Sequence, residues 1–424
     1  MKSILLSIFL WLYISTSCAQ QINNRKLDSF LTTLSSKGVA MGSLAISKNG
    51  QLVYRKELGP ASQYRIGSVT KLFTAVLVFQ LIEERKLSLD QKLSRFYPDL
   101  PNAASVSIED MLYHRSGLHD YTKDTDFTTW MDQPKSQAEL LTIIRQKGSD
   151  FLPRERSEYS NSNFLLLGYI IEKISKASYA EVLKKRIIDP LQLTNTWFGT
   201  EASIKKPQVP SFKYNNGNWI PEKSTDLRIH GGAGAIISRP EDLILFINAL
   251  FTNKLITQAS LARMETIVNE YGMGIFANKY GSKKSYGHNG RIEEFYTAVW
   301  HYPEDGLSIS YCTNGIHYPR TDLIEGVLKI CFDEPFYLPF GNNKKIYLNN
   351  YTGTYSNEQI TVKCTVTGTR LAAETKGIVF ELEPIAENYF MHSSSGYYFE
   401  FFPQRGELQI KETDNIYYLK KTRE

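Results

Sequence analysis

The chain has 424 residues, 42% of them hydrophobic and 22% charged, with a formal net charge of +5. That length supports two or three domains with real cores. Lys and Arg are scattered among acids, which excludes a nucleic-acid stripe.

The first residues read as an address. Lys2 precedes the apolar run ILLSIFLWLYIS and the small-residue exit Ser15-Thr-Ser-Cys-Ala-Gln20. A basic start, a short apolar core and small residues describe an export signal, with cleavage after Ala19. The run is too short for a comfortable membrane span. Cys18 leaves a lipoprotein open, so a membrane is a partner only if Cys18 carries lipid. Three cysteines remain, Cys312, Cys331 and Cys364. An odd, widely spaced trio is no disulfide framework, and no Cys or His pair has metal-ligand spacing. His114 and His119 read as structural loop residues.

Residues 24–36 predict an amphipathic helix. MGSLAIS and QLVYRKEL then flank Lys48-Asn-Gly50, a strong hairpin signal. Arg65-Ile-Gly-Ser-Val-Thr-Lys71 leads into the apolar run LFTAVLVFQLI, a buried helix extending to about Arg85. Ser107-Ile-Glu-Asp-Met-Leu has capping character, and a helix is expected near 136–147. Glu158-Tyr-Ser-Asn161 opens the helix SNFLLLGYIIEKIS, and a shorter helix ends at Asp189-Pro190. Residues 199–228 read as an irregular excursion, GGAGAIIS as a strand, and Arg239-Pro-Glu-Asp as the start of the helix LILFINALF. Strands return with YGMGIFA, SYGHNG, FYTAVWHY and LSISYCTN, the last two joined by Pro303-Glu-Asp-Gly306. Outer strands around a helical middle predict a sheet that joins the two chain ends, an α/β (α+β) fold with an inserted helical lobe. A Pro/Gly/Asn linker at 334–346 precedes about eight short β-like runs from 347 to 424, a small antiparallel barrel.

Ser68 and Lys71 stand three apart, on one helical face. A serine hydroxyl becomes a nucleophile when something takes its proton, and an amine one turn away is a plausible acceptor. The plain alternative is that Ser68 caps the helix. A second Ser-x-x-Lys, Ser203 to Lys206, shows how weak the string is alone. Tyr159-Ser-Asn161 before one helix and His288-Asn-Gly290 on a strand complete the set. Tyr214-Asn-Asn216, Tyr355-Ser-Asn357 and His230-Gly-Gly232 match the same short patterns, so context must select. Each chosen piece lies beside an apolar element, and they occur in order.

Several longer phrases accompany these residues: GSVTKLFTAVLVFQLIEERKLSLDQKL, MLYHRSGLHDY, YSNSNFLLLGYIIEKIS, IIDPLQLTNTWF, GGAGAIISRPEDLILFINAL and YGHNG. Over roughly residues 25–333 the chain resembles the serine β-lactamase and penicillin-binding protein superfamily. The likeness is to the branch with class C β-lactamases, DD-peptidases, D-aminopeptidases and esterases. The C-terminal segment more weakly resembles an accessory β domain of lipocalin-like form. The resemblance implies a signal at 1–19, a hydrolase domain at 22–333 and a barrel at 347–424.

It further implies that Ser68 is the acylated nucleophile, Lys71 its proton partner and Tyr159 a general base whose phenolate is favoured by cationic neighbours. Which of Lys71 and Tyr159 takes the first proton stays open. Asn161 would hold the substrate's amide side chain. His288-Asn-Gly290 would line the pocket, and the Ser68 and Arg291 N–H groups would form the oxyanion hole. His288 stands where true β-lactamases have lysine, and Arg291 where small residues are common. Both departures favour a peptidase or esterase acting on D-residue peptides, peptidoglycan fragments or esters. A true β-lactamase and a β-lactam-binding protein with little turnover are the alternatives. No cofactor is implied.

Overall fold

The computed structural model describes residues 22–59, 63–199, 210–215, 217–341, 346–413 and 415–422. The export signal, Cys18 and Ser203 to Lys206 lie outside the described residues. Among the described residues, no helix is long and apolar enough to cross a membrane.

The Asn-Gly signal delivers its hairpin. Strand β1 (Gly42–Lys48) pairs antiparallel with β2 (Gln51–Leu58), and Asn49 and Gly50 take the φ values of 52° and 78° that a two-residue turn demands. The later part of the domain supplies β3 (Phe276–Tyr280), β4 (Lys283–Ile292), β5 (Phe295–Tyr302) and β6 (Leu307–Thr313). These form one antiparallel sheet in the order β2-β1-β6-β5-β4-β3. Register Ile46↔Ile309 joins the two ends of the domain, as expected.

Side chains alternate across this sheet. Leu44, Ile46, Ile309 and Tyr311 face α1 (Asn24–Ser36) and share a core with its Leu27, Phe30 and Leu31. Val299 and Cys312 belong to the opposite core, built around α2 (Thr70–Glu83) and α3 (Asn161–Ser175). In α2 every residue from Thr70 to Phe79 is buried, as expected of a helix apolar on all sides. Phe73 stacks on Phe246 of α4 (Pro240–Phe251) at 3.7 Å.

Two local expectations change. GGAG is a helical turn, Gly231–Gly234, and only Ile236–Ser238 is strand. The turn forms because it docks on α2, where the Thr74 hydroxyl donates to the Gly232 carbonyl at 2.6 Å. The irregular excursion contains a hairpin, Phe212–Asn215 with Asn218–Pro221.

Helix α5 (Arg320–Cys331) closes the domain. Eight strands then wind consecutively into a closed antiparallel barrel from Gly353 to Lys421, filled by Tyr355, Phe390, Phe399, Phe401 and Leu408. The barrel is bolted to α5 by a buried ionic cluster. Lys411 Nζ lies 2.8 Å from Asp322 Oδ1 and 2.6 Å from Glu400 Oε2. The Tyr389 hydroxyl donates to the other Asp322 oxygen.

Candidate active site

Ser68 sits in a single 3-10 turn, Gly67–Val69, that runs straight into α2. Lys71 is therefore three residues on and directly below it. Its ammonium is fully buried and makes three contacts: Ser68 Oγ at 3.0 Å, Asn161 Oδ1 at 2.8 Å and the Ala233 carbonyl at 2.8 Å. No carboxylate is among these partners. Burial pushes Lys71 down to about 7, opposed by the more distant Asp120 charge. When neutral, the amine gives its two hydrogens to Asn161 and Ala233 and keeps a lone pair for the Ser68 hydroxyl.

Tyr159 lies just before α3 and hydrogen-bonds the Ser68 side chain. Lys71 Nζ stands 4.8 Å from its ring centre. The expected phenolate does not follow. Burial pushes the Tyr159 phenol well up, and the Asp120 charge pushes the same way. Below the Tyr159 ring the His114 ring stacks at 4.4 Å, and the Ser160 N–H donates to His114 Nδ1 at 3.2 Å. Burial holds His114 well below its ordinary value, so this support stays neutral.

Asn161 is at the first turn of α3, but its amide is committed to the protein. Its N–H₂ donates to Asp120 Oδ2 at 3.2 Å and Thr122 Oγ1 at 2.9 Å, while its oxygen accepts from Lys71. The expected grip on a substrate amide therefore competes with a role in orienting Lys71. His288 is buried on β4 against Phe276, with ring centres 4.4 Å apart. Burial and the Lys71 charge push it down to about 3. It supplies no positive charge at any working pH.

The approach of β4 to the Ser68 turn requires glycine on both sides. A Cβ on Gly290 would fall 2.0 Å from the Ile66 carbonyl oxygen and 3.1 Å from Ser68 N. One on Gly67, at φ +51°, would fall 3.0 Å from Arg291 N. The Ser68 and Arg291 backbone nitrogens therefore both lie where the Ser68 turn and β4 meet, and both are candidate donors to an oxyanion. The Arg291 side chain runs outward, its Nε donating to the Glu293 carbonyl at 3.3 Å.

Ser68 opens into two cavities divided by Arg291. One, about 630 Å³, is lined by Tyr159, Phe276, His288, Arg320 and, from the barrel, Thr413. The other, about 530 Å³, is lined by Thr122, Phe127, Asn161, His230 and Glu293. All seven residues singled out from sequence meet here. Sequence reasoning missed Asp120, Glu293 and Arg320, and dismissed His230. The only available signal was the place of Asp120 within the HRSGLHDY phrase and of Glu293 just after the HNG strand. Among the described residues, no group of three or more His, Cys, Asp or Glu could hold a metal ion.

The teichoic acid D-alanine hydrolase of Staphylococcus aureus (strain MRSA252) is 27% identical over 273 residues, 60% of this chain and 64% of that protein, so the likeness spans less than two thirds of its length. The D-amino acid amidase from Ochrobactrum anthropi SV3 complexed with D-phenylalanine superposes with a TM-score of 0.66 at 25% identity, over 73% of this chain and 99% of that one. The octameric penicillin-binding protein homologue from Pyrococcus abyssi, at 23% identity and a TM-score of 0.67, covers 93% of this chain and 99% of its own. That likeness shows the fold alone, and its coverage is too large to leave out the barrel. The beta-lactamase family matches residues 24–329, most of the chain and every site residue described above except Thr413 of the barrel. This chain belongs to the beta-lactamase family.

Proposed function

We propose that this protein is an exported serine hydrolase that acylates Ser68 and releases the acyl group to water. Its substrates are amides, esters or short peptides of D-amino acids. The observation that carries the reading is the uncharged-capable Lys71 amine 3.0 Å from Ser68 Oγ, with the Ser68 and Arg291 backbone nitrogens where the Ser68 turn and β4 meet. The S. aureus and O. anthropi relatives, named for D-alanine and D-amino acid hydrolysis, support the substrate class.

In this scheme neutral Lys71 takes the Ser68 proton as Oγ attacks the carbonyl carbon. The developing oxyanion is held by the Ser68 and Arg291 N–H groups, worth several kcal/mol of barrier in comparable sites. The Tyr159 hydroxyl donates its proton to the departing amine or alkoxide and is replenished by the proton that Lys71 took from Ser68. Water entering after departure reverses the sequence and frees the acid. The export signal read at residues 1–19 supports a periplasmic or extracellular setting for this chemistry. A neutral His288 gives a β-lactam carboxylate no fixed positive charge, which favours peptides and esters over antibiotics. The test is a panel of D-amino acid amides, esters, short D-peptides and β-lactams, read against Ser68→Ala. Turnover of the amides or esters that vanishes in the variant is expected. Hydrolysis that survives in Ser68→Ala overturns the reading.

A further inference from the structure

Glu293 is placed at some cost. It forms the two-residue turn between β4 and β5 with Glu294, where Ile292 pairs with Phe295. Its φ of 46° is a left-handed value that a residue with a Cβ seldom adopts. Strain of this kind persists where the surroundings over-determine it, often at functional sites.

The side chain is only 2% exposed. One oxygen, Oε1, accepts everything offered: the Thr225 N–H at 2.7 Å, the Thr225 hydroxyl, and Arg65 at 3.2 Å. The other oxygen, Oε2, is buried with no partner at all. A buried carboxylate oxygen without a donor is costly. The residue lines the 530 Å³ cavity that also holds Ser68 and Asn161.

We propose that Glu293 Oε2 receives the α-ammonium of an aminoacyl substrate, making this cavity the acyl pocket and leaving the Tyr159–Arg320 cavity to the departing group. The inference rests on the acyl-enzyme reading of Ser68. Glu293 lies two residues along the chain from Arg291, at most about 7 Å of backbone. A carbonyl oxygen at the Arg291 N–H therefore puts an ammonium, two bonds from the carbonyl carbon, within reach of a glutamate arm. Three of the neighbouring cationic groups are engaged elsewhere or silent. Arg65 holds the opposite oxygen, Lys223 pairs with Asp132 at 2.6 Å, and burial keeps His230 neutral. The bland role, a partner for Arg65, accounts for Oε1 and leaves Oε2 unexplained.

D-Alanyl p-nitroanilide and propionyl p-nitroanilide differ only in the ammonium, which at pH 7 is mostly charged because α-amino groups titrate at about 7.7–8.0. Glu293→Gln keeps the shape and an acceptor for Thr225 and Arg65. The ratio of kcat/KM for the D-alanyl over the propionyl substrate is expected to fall by about thirtyfold, as loss of a buried charge-assisted hydrogen bond implies. A ratio unchanged within about twofold overturns the proposal. Should the variant not fold, the wild-type enzyme decides. D-Alaninamide should compete with p-nitrophenyl acetate at about a tenth of the concentration that propionamide needs, given the same bond; equal competition overturns the proposal. Ser68→Ala separates the two levels: if it remains active, the acyl-enzyme reading fails, whereas an inactive Ser68→Ala with an unchanged Glu293→Gln ratio removes only the ammonium site.

Discussion

Lys71 in the hydrolase domain and Lys411 in the barrel are both buried lysines, and their surroundings drive them in opposite directions. Lys71 has a hydroxyl, an amide oxygen and a carbonyl around it, and burial pushes it down to about 7. Lys411 has Asp322 and Glu400 within 3 Å, and their charges outweigh burial and raise it. Desolvation alone favours a neutral amine, while desolvation beside carboxylates favours a fixed ion. The first environment suits the proposed base. The second makes a bolt.

Breaking the comparison at the active site gives the largest effect. Lys71→Met removes the proton acceptor, so kcat/KM on a D-amino acid amide should fall by about a thousandfold or more. The fold should survive, because no buried carboxylate loses its partner. Normal turnover in a folded variant would remove Lys71 from the mechanism, and circular dichroism with kinetics reads both points.

The opposite result is expected at the barrel. Lys411→Met leaves Asp322 buried among Tyr389 and Glu400, and stripping one member from such a pair costs about 3–5 kcal/mol. Chemical denaturation would show the loss, while hydrolysis of a small ester by the folded fraction should be retained. A variant as stable as the parent would show that the cluster is not holding the barrel to α5.

The pH dependence sharpens the contrast with a smaller signal. The proposed scheme needs neutral Lys71, so kcat/KM should rise with pH to a plateau above an apparent pKa of about 7. The stability sign follows from the same value. Between about 7 and the ordinary lysine value of 10.5 the unfolded chain holds a proton that folded Lys71 lacks, so this group makes folding more favourable as pH rises through that window. Lys411, raised above 10.5, instead contributes stability that is present below that value and lost above its folded value. An acidic limb centred far below 7 would assign the essential base to another group.

Much of this was legible in residues. Asn49-Gly50 specified its turn, the all-apolar α2 its burial, and the eight short runs after residue 347 a barrel. Ser68 and Lys71 were readable because helical spacing is local. Legibility failed where chemistry depends on contacts distant in sequence. Asn161 reads as a substrate ligand until Asp120, 41 residues earlier, takes its amide hydrogens. Tyr159 reads as a residue whose phenolate is favoured by cations, and only its burial shows the phenol pushed the other way. Glu293 looks like one more polar turn residue, and only Thr225 and Arg65, brought in from elsewhere, show that one oxygen is saturated and the other bare. GGAG reads as strand because apolar composition cannot reveal that Thr74 holds its carbonyl.

The account turns on a covalent intermediate at Ser68. Acid-quenching the enzyme during turnover of a D-alanyl ester and measuring intact mass tests this directly. The account predicts an added D-alanyl mass on the wild-type chain, located by peptide mapping to the peptide containing Ser68 and absent from Ser68→Ala. Steady turnover with no adduct on any residue, or an adduct that persists in Ser68→Ala, would contradict it.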